Sequence, residues 1–255
     1  MKVSIITVCK NAGSSIRKTI ESVASQSYKN IEYIVIDGGS RDGTLDILKK
    51  NREKISTLIR EPDGGIYEAM NHGLTKATGD ILFFLNSGDV CANSTVIERI
   101  AQAYRKHPVD IMFGDAIVGA CVKEHGESLP YYLYKNTITH QALFAKRSVF
   151  EKYGSFDTRY KVLADLEWEV RMLVFHHVSF RYEHMPVVKY ERGGLSEKKD
   201  KQSIDLRMKE RSSVRDIYYP LWQRVLFRCA LGVEYAMHET STAIFKRRRV
   251  YQKQS

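Results

Sequence analysis

The chain has 255 residues, 43% of them hydrophobic and 27% charged, with 40 Lys+Arg against 30 Asp+Glu and a formal net charge of +10. That apolar share can bury a sizeable core, which excludes a disordered or collagen-like polymer, and the length fits one large α/β domain or one domain with an appendage. The 4 cysteines (Cys9, Cys91, Cys121, Cys229) stand far apart with no histidine at ligand spacing, which excludes a disulfide framework and a zinc site and fits a reducing cytosol.

Val3 to Val8 is a short β-branched apolar run ending in Cys9-Lys10-Asn11, and it reads as a buried strand. Over 14–27, Ile16, Ile20, Val23 and Ala24 fall on one face of an amphipathic helix, with Ser14 or Ser15 as its cap. A second strand, Ile31 to Ile36, is closed by Asp37-Gly38-Gly39-Ser40. Then come a helix over Thr44 to Asn51 and a strand over Ser56 to Arg60. After Pro62-Asp63-Gly64-Gly65 a helix over 66–77 leads to a strand from Asp80 to Leu85 and the turn Asn86-Ser87-Gly88-Asp89. This alternation predicts a parallel sheet with helices on its faces, and ligands bind such sheets beyond the carboxyl ends of the strands. Here those ends are all polar, and those at 37–40, 61–65 and 86–89 carry a carboxylate.

Further on, strands are expected at 109–118 and 142–145, a Tyr-rich loop at 131–134, a helix at 164–175, and strands at 178–182 and 187–191. Helices are expected from Ser203 to Tyr219 and from Leu221 to about Met237. The longest apolar stretch, Ile81 to Leu85, is far below the ~20 residues of a membrane span. The N-terminal run is too short for a signal-peptide core, so a cytoplasmic location is expected.

No glycine-rich phosphate loop follows the first strand, which argues against a dinucleotide oxidoreductase and a P-loop phosphotransferase. A bound nucleotide diphosphate would need a cation or basic side chains. Asp37 could accept a hydrogen bond from a base, or simply form its turn. Asp89 could hold Mg²⁺ or Mn²⁺ together with phosphate oxygens, or cap a helix opening near Asn93. Asp165 could be a general base or only a helix cap, and His140, in THQALF, reads as an ordinary loop or core histidine.

In order and at these spacings the motifs resemble a family. VSIITVCKN (3–11), IEYIVIDGGSRDGT (31–44), EPDGGIYEAMNHGLTKATGD (61–80), ILFFLNSGD (81–89), THQALFAKRSVFEKYGSFD (139–157), ADLEWEVRM (164–172) and YERGGLS (190–196) resemble family 2 glycosyltransferases, especially those that build bacterial O-antigen, capsule and exopolysaccharide. The resemblance implies a GT-A fold: a Rossmann-like, mostly parallel sheet flanked by helices. Residues 1–115 would bind the nucleotide-sugar and 116–199 the acceptor, with a helical basic extension over 200–255.

It further implies an inverting transfer of a hexose or N-acetylhexosamine from a nucleotide-diphospho-sugar, most simply a UDP-sugar, to a glycan or lipid-linked diphosphate acceptor. Thr7, Asn11, Asp37, Asp63, Asn71 and Asn86 would line the donor site, Asp89 would bind the metal, and Asp165 would be the catalytic base. Glu167 is the runner-up base, on another side of the helix. NSGD departs from the family's richer acidic motif, because Asn86 and Gly88 stand where relatives carry acids. Gly193 to Ser196 resembles a loop that closes over the donor. A sugar-nucleotide pyrophosphorylase is the competing enzyme reading, but it wants a basic, glycine-rich phosphate loop near residues 8–20. On this reading Asp37, Asp89 and Asp165 share one cleft.

The segment 200–255 carries 12 Lys+Arg against 6 Asp+Glu. Nucleic acid is rejected as its partner, because the charge sits in a tail without a recognition motif. One reading makes the 221–237 helix a packing element. The sharper one makes 221–249 a peripheral membrane contact at the inner face of the cytoplasmic membrane. Trp222, Leu226 and Phe227 would then dip into lipid, with Arg224, Arg228 and the cluster at 246–249 on anionic head groups.

Overall fold

The computed structural model describes residues 1–119, 121–123, 129–190 and 199–232. Strands β1 (Val3–Cys9), β2 (Ile31–Asp37), β3 (Thr57–Arg60) and β4 (Ile81–Phe84) are parallel and lie in the order β3-β2-β1-β4. Every residue of β1 is buried. Its side chains alternate between two cores: Ile6 and Val8 join Ile34, Ile36 and Phe84, whereas Val3 and Ile5 join Tyr33, Val35 and Phe83. A strand buried on both faces has no polar side to show, so it reads as a continuous apolar run. Helix α1 (Ile16–Ala24) lies on the second core and α3 (Ile66–Lys76) on the first, with α2 (Thr44–Lys50) between β2 and β3 in the chain.

The direction of chain progression reverses between β1 and β4, the point where ligands collect in open sheets. The loops that follow these strands touch there, through Ser87 N–H to Val8 O at 3.3 Å and the Ser15 and Ser87 hydroxyls at 3.2 Å.

The sheet continues past β4 through later parts of the chain. β8 (Leu143–Lys146) is antiparallel to β4, β6 (Ile111–Val118) is antiparallel to β8, and β9 (Phe180–Tyr190) is parallel to β6. β5 (Val90–Cys91) pairs with β9, and β7 (Cys121–Lys123) folds back on β6. Thus 109–118 and 142–145 form strands as expected, but the two strands expected at 178–182 and 187–191 are one. Register shifts around Asp115 absorb Pro186, which cannot donate to a ladder. Gly114 permits that irregularity, because a Cβ there would lie 2.7 Å from Met185 O.

Among the remaining helices, α4 (Val96–Lys106) opens after Asn93, whose side chain, not that of Asp89, accepts from Thr95 N–H at 2.9 Å. The Tyr-rich loop expected at 131–134 is instead helical, within α5 (Leu129–Lys135). Its Leu133 and Tyr134 are buried, and Tyr134 packs edge-on against Tyr219 and Phe227, so tertiary contacts outweigh the low helix propensity of tyrosine. α6 (Arg147–Tyr153) supplies Phe150, on which Trp168 of α7 (Ala164–Val170) stacks at 4.5 Å. The helix expected over 164–175 changes at Arg171 to a wider turn, closed by His176 N–H to Arg171 O.

α8 (Lys201–Tyr218) is more than an appendage. Its buried Glu210 accepts from the backbone N–H groups of Lys161, Val162 and Leu163 at 2.7, 3.1 and 2.9 Å. These donors would otherwise be unpaired just ahead of α7, so a carboxylate from the basic C-terminal segment fixes the entry to the helix that carries Asp165. The chain is helical again from 221 to 232, where description stops. Among the described residues no helix is long and apolar enough to cross a membrane. The GGLS loop and the basic cluster at 246–249 lie outside the described residues.

Candidate active site

The end of β1, the loop after β3 and the first turn of α3 frame a cavity of about 570 Å³ lined by Val8, Cys9, Lys10, Asp63 to Ile66 and Ala69. Asp63 closes over Gly38, where a Cβ would meet Asp63 Oδ2 at 2.0 Å, so only glycine allows that carboxylate its place. Lys10 Nζ stands 3.7 Å from Asp63 Oδ1. Behind Cys9 lies Asp37, fully buried, accepting from Ser40 N–H at 3.2 and 3.3 Å with Arg60 Nε at 3.4 Å. Burial first, then the charges of Asp37 and its neighbours, push the Cys9 thiol up to about 12. It stays protonated and is no nucleophile. Asn11, in the left-handed region at φ 51, ties the first two loops together: its N–H donates to Ser40 Oγ and its Oδ1 accepts from Arg41 N–H.

Thr7 and Asn71, expected in the donor site, do not line this cavity. Thr7 is fully buried on the opposite face of β1, its hydroxyl donating to Leu85 O at 2.6 Å and accepting from Tyr33. The period of two along a strand sends it away from Ile6 and Val8. Asn71 spends its amide on the backbone of Phe156, donating to the carbonyl at 2.8 Å and accepting from the N–H at 3.1 Å.

The turn 86–89 and the start of α7 meet through one short segment. Asp89 Oδ2 accepts from Gln141 Nε2 at 2.9 Å, and Asn86 Nδ2 lies 2.9 Å from His140 Nε2. His140 Nδ1 lies 3.0 Å from Asp165 Oδ2. On the other oxygen, Oδ1, Asp165 accepts from Leu166 N–H at 2.9 Å, and the Tyr67 hydroxyl is equally close. Asp165 is therefore not the cap of its helix; the cap position is Leu163.

Burial alone would raise the Asp165 carboxyl, but the hydrogen bonds from His140, Tyr67 and Leu166 hold it below the usual carboxylate range. It is ionised at neutral pH and borders a second cavity of about 870 Å³, which Lys123, Thr139, His140, Lys199 and Arg207 also line. One helical turn on, burial and the Asp165 charge push Glu169 well above the usual carboxylate range. Glu167 faces elsewhere, paired with Arg171 at 2.8 Å and hydrogen-bonded by Tyr218.

Of the three carboxylates expected to share one cleft, Asp165 lines the cavity of about 870 Å³, and Asp37 and Asp89 line neither cavity described above. Asp89 and Asp165 are joined through Gln141 and His140, while Asp37 lies behind the wall of the smaller cavity. Tyr67, Gln141 and Glu169 escaped sequence reasoning, and His140 was read there as an ordinary loop or core histidine; Glu169 left a signal in its spacing of four from Asp165.

Among the described residues no group of three His, Cys, Asp or Glu side chains could hold a metal by itself. The turn does offer hard oxygens: the Asp89 carboxylate and Asn86 Oδ1, which is buried without a hydrogen-bond partner. These fit a divalent cation whose other ligands are phosphate oxygens.

Residues 4–165 match the family described as Glycosyl transferase family 2. The chain belongs to glycosyltransferase family 2. Among its relatives, a PGL/p-HBAD biosynthesis glycosyltransferase of Mycobacterium tuberculosis is 35% identical over 200 residues, covering 76% of this chain and 78% of the relative. The glycosyltransferase AglE of Haloferax volcanii is 28% identical over 184 residues, covering 66% of this chain and 60% of AglE. In fold, the family 2 chain matches S. aureus TarS residues 1–349 in complex with UDP-GlcNAc, with a TM-score of 0.70 at 18% identity over 86% of this chain and 68% of that one. It spans 36% of the longer TarS structure. A mannosyltransferase from Pyrobaculum calidifontis in complex with GDP-Man and Mn2+ matches with a TM-score of 0.57 at 19% identity over 72% and 55%. The fold is thus GT-A: α/β, with a sheet flanked by helices.

Proposed function

We propose that this family 2 glycosyltransferase is an inverting enzyme that moves a hexose or N-acetylhexosamine from a UDP-sugar to a glycan or lipid-linked acceptor of a bacterial surface polysaccharide. The observation that carries this reading is the Asp165 carboxylate. It is kept ionised by its neighbours and opens on the larger cavity, while its other side is linked to the turn 86–89. Binding of UDP and UDP-GlcNAc by TarS supports a UDP-linked donor. Asn11, Asp37, Asp63 and Asn86 belong to the donor side, with Lys10 and Arg60 as its basic side chains. Asp89 and Asn86 Oδ1 would hold Mg²⁺ or Mn²⁺, which would neutralise charge on the donor diphosphate.

The acceptor hydroxyl enters from the larger cavity. Its oxygen forms the new bond to the anomeric carbon on the face opposite the diphosphate, and the electron pair of the breaking C–O bond leaves with the nucleoside diphosphate. The acceptor proton passes to Asp165 Oδ2. The protonated thiol of Cys9 has no part in this single displacement. Lys123, Lys199 and Arg207 around the cavity suit an acidic or phosphate-bearing acceptor. Leu221, Trp222, Val225 and Leu226, each more than half exposed, suit contact with the inner face of the cytoplasmic membrane. Phe227 is withdrawn from that role, because it packs on Tyr131, Tyr134 and Tyr219.

A panel of nucleotide sugars, assayed for hydrolysis with and without Mn²⁺, tests the reading. One UDP-sugar should be hydrolysed faster than the rest, with UDP as product. Release of a sugar 1-phosphate with nucleotidyl transfer would favour the pyrophosphorylase instead.

A further inference from the structure

The clamp between His140-Gln141 and the turn 86–89 has a consequence for the base. Gln141 holds Asp89 near one end of that turn, and His140 meets Asn86 at the other. The turn itself is closed by Asp89 N–H to Asn86 O at 3.1 Å. Two consecutive residues of the short 3-10 turn His140–Ala142 therefore grip the donor side at two points. The first of them also reaches Asp165.

The hydrogen-bond roles along this path are determined by chemistry. An amide nitrogen only donates, so Asn86 Nδ2 donates to His140 Nε2, and the imidazole proton sits on Nδ1. Nδ1–H then donates to Asp165 Oδ2. On Asp165, Oδ1 takes Tyr67 and Leu166 while Oδ2 takes His140. A carboxylate has about four acceptor positions, so this pattern leaves one on Oδ2. Without His140 the carboxylate has no donor on Oδ2 among the described residues, and its remaining lone pair has no defined direction.

We infer that His140 is a positioning residue for the transfer reaction. It aims the open lone pair of Asp165 at the acceptor oxygen and keeps the base in register with the turn that receives the donor diphosphate. This rests on the reading of Asp165 as the base. His140 touches neither sugar nor nucleotide and acts through Asp165.

The experiment uses the full chain and the UDP-sugar that the wild type hydrolyses fastest, with water as acceptor. His140→Ala, His140→Asn and His140→Gln are compared for kcat and KM and for UDP affinity by calorimetry. Asparagine places an amide nitrogen near the Nδ1 position and can still donate to Asp165; glutamine carries its amide too far out. The expected result is a fall in kcat of roughly 10- to 100-fold for His140→Ala and His140→Gln, with KM and UDP affinity within about 3-fold. His140→Asn should recover to within about 5-fold of wild type.

If His140→Ala does not fold, the contrast between Asn and Gln carries the test. An unchanged kcat, a loss that Asn does not repair, or a parallel loss of UDP affinity overturns the positioning role. Asp165→Asn is run alongside. Full hydrolysis by that variant refutes the base reading itself, whereas its expected loss beside unaffected His140 variants refutes only the inference about His140.

Discussion

Tyr67 and Asp165 are 98 positions apart in the chain, yet the phenolic oxygen lies 2.9 Å from Asp165 Oδ1. The same hydroxyl lies 2.8 Å from Val162 O, so its one proton is shared between the carboxylate and the backbone leading into α7. Helix α3, which follows Asp63 to Gly65 in the lining of the smaller cavity, thus reaches Asp165 directly.

Replacing Tyr67 by Phe removes a bond that favours the ionised carboxylate. The Asp165 carboxyl should then rise, because burial opposes charge and one of its counterweights is gone. The acid limb of the hydrolysis rate should move to higher pH, and the plateau should drop roughly 3- to 10-fold. Rates measured from about pH 3 to 8 check both; an acid limb that stays in place or moves down contradicts the assignment.

Asp165 and Glu167 separate by role. Asp165→Asn should lower turnover about 10²–10⁴-fold with UDP affinity nearly intact. Glu167→Gln should weaken the tie to Arg171 and Tyr218, costing about 1–3 kcal/mol in stability while hydrolysis by the folded protein stays near wild type. Urea denaturation and steady-state kinetics on both variants provide the comparison.

Glu210 binds three successive amides ahead of α7. Glu210→Ala strands those donors and should destabilise the chain by about 2–4 kcal/mol. A melting temperature close to wild type would show that water replaces the carboxylate without cost.

Asp89→Asn removes the one carboxylate of the turn 86–89. Mn²⁺ should strengthen UDP binding by the wild type, and that gain should fall by about 10-fold or more in the variant. Calorimetric titrations with Mn²⁺ and with EDTA measure it. An equal gain in both proteins would move the cation elsewhere.

Trp222 and Leu226 are each more than half exposed. Changing both to Ser should leave the melting temperature in place but lower sedimentation with anionic vesicles roughly 10-fold. Equal sedimentation of the two proteins would remove the membrane contact.

The first four strands and their helices were legible because β1, β2 and β4 are buried on both faces and each helix on one, and those constraints print a pattern on the sequence. The polar loops at the strand ends stood out for the same reason, as breaks in that pattern. α5 was misread, since its tyrosines become helical only against Tyr219 and Phe227 from far along the chain. The strand β9 was split, since Pro186 looks like a break unless a facing bulge accommodates it.

At the site, residue types and order pointed to Asp37, Asp89 and Asp165 as residues with chemistry to perform, and the resemblance added Asp63. Which way each side chain turns was a tertiary matter. Thr7 is one peptide from Ile6 and Val8 but faces the other core, and His140 looked ordinary in THQALF because its partners come from the turn after β4 and from α7. Periodicity is a local property that burial writes into the chain; a hydrogen-bond path between Asn86, His140 and Asp165 exists only once three distant segments are packed together.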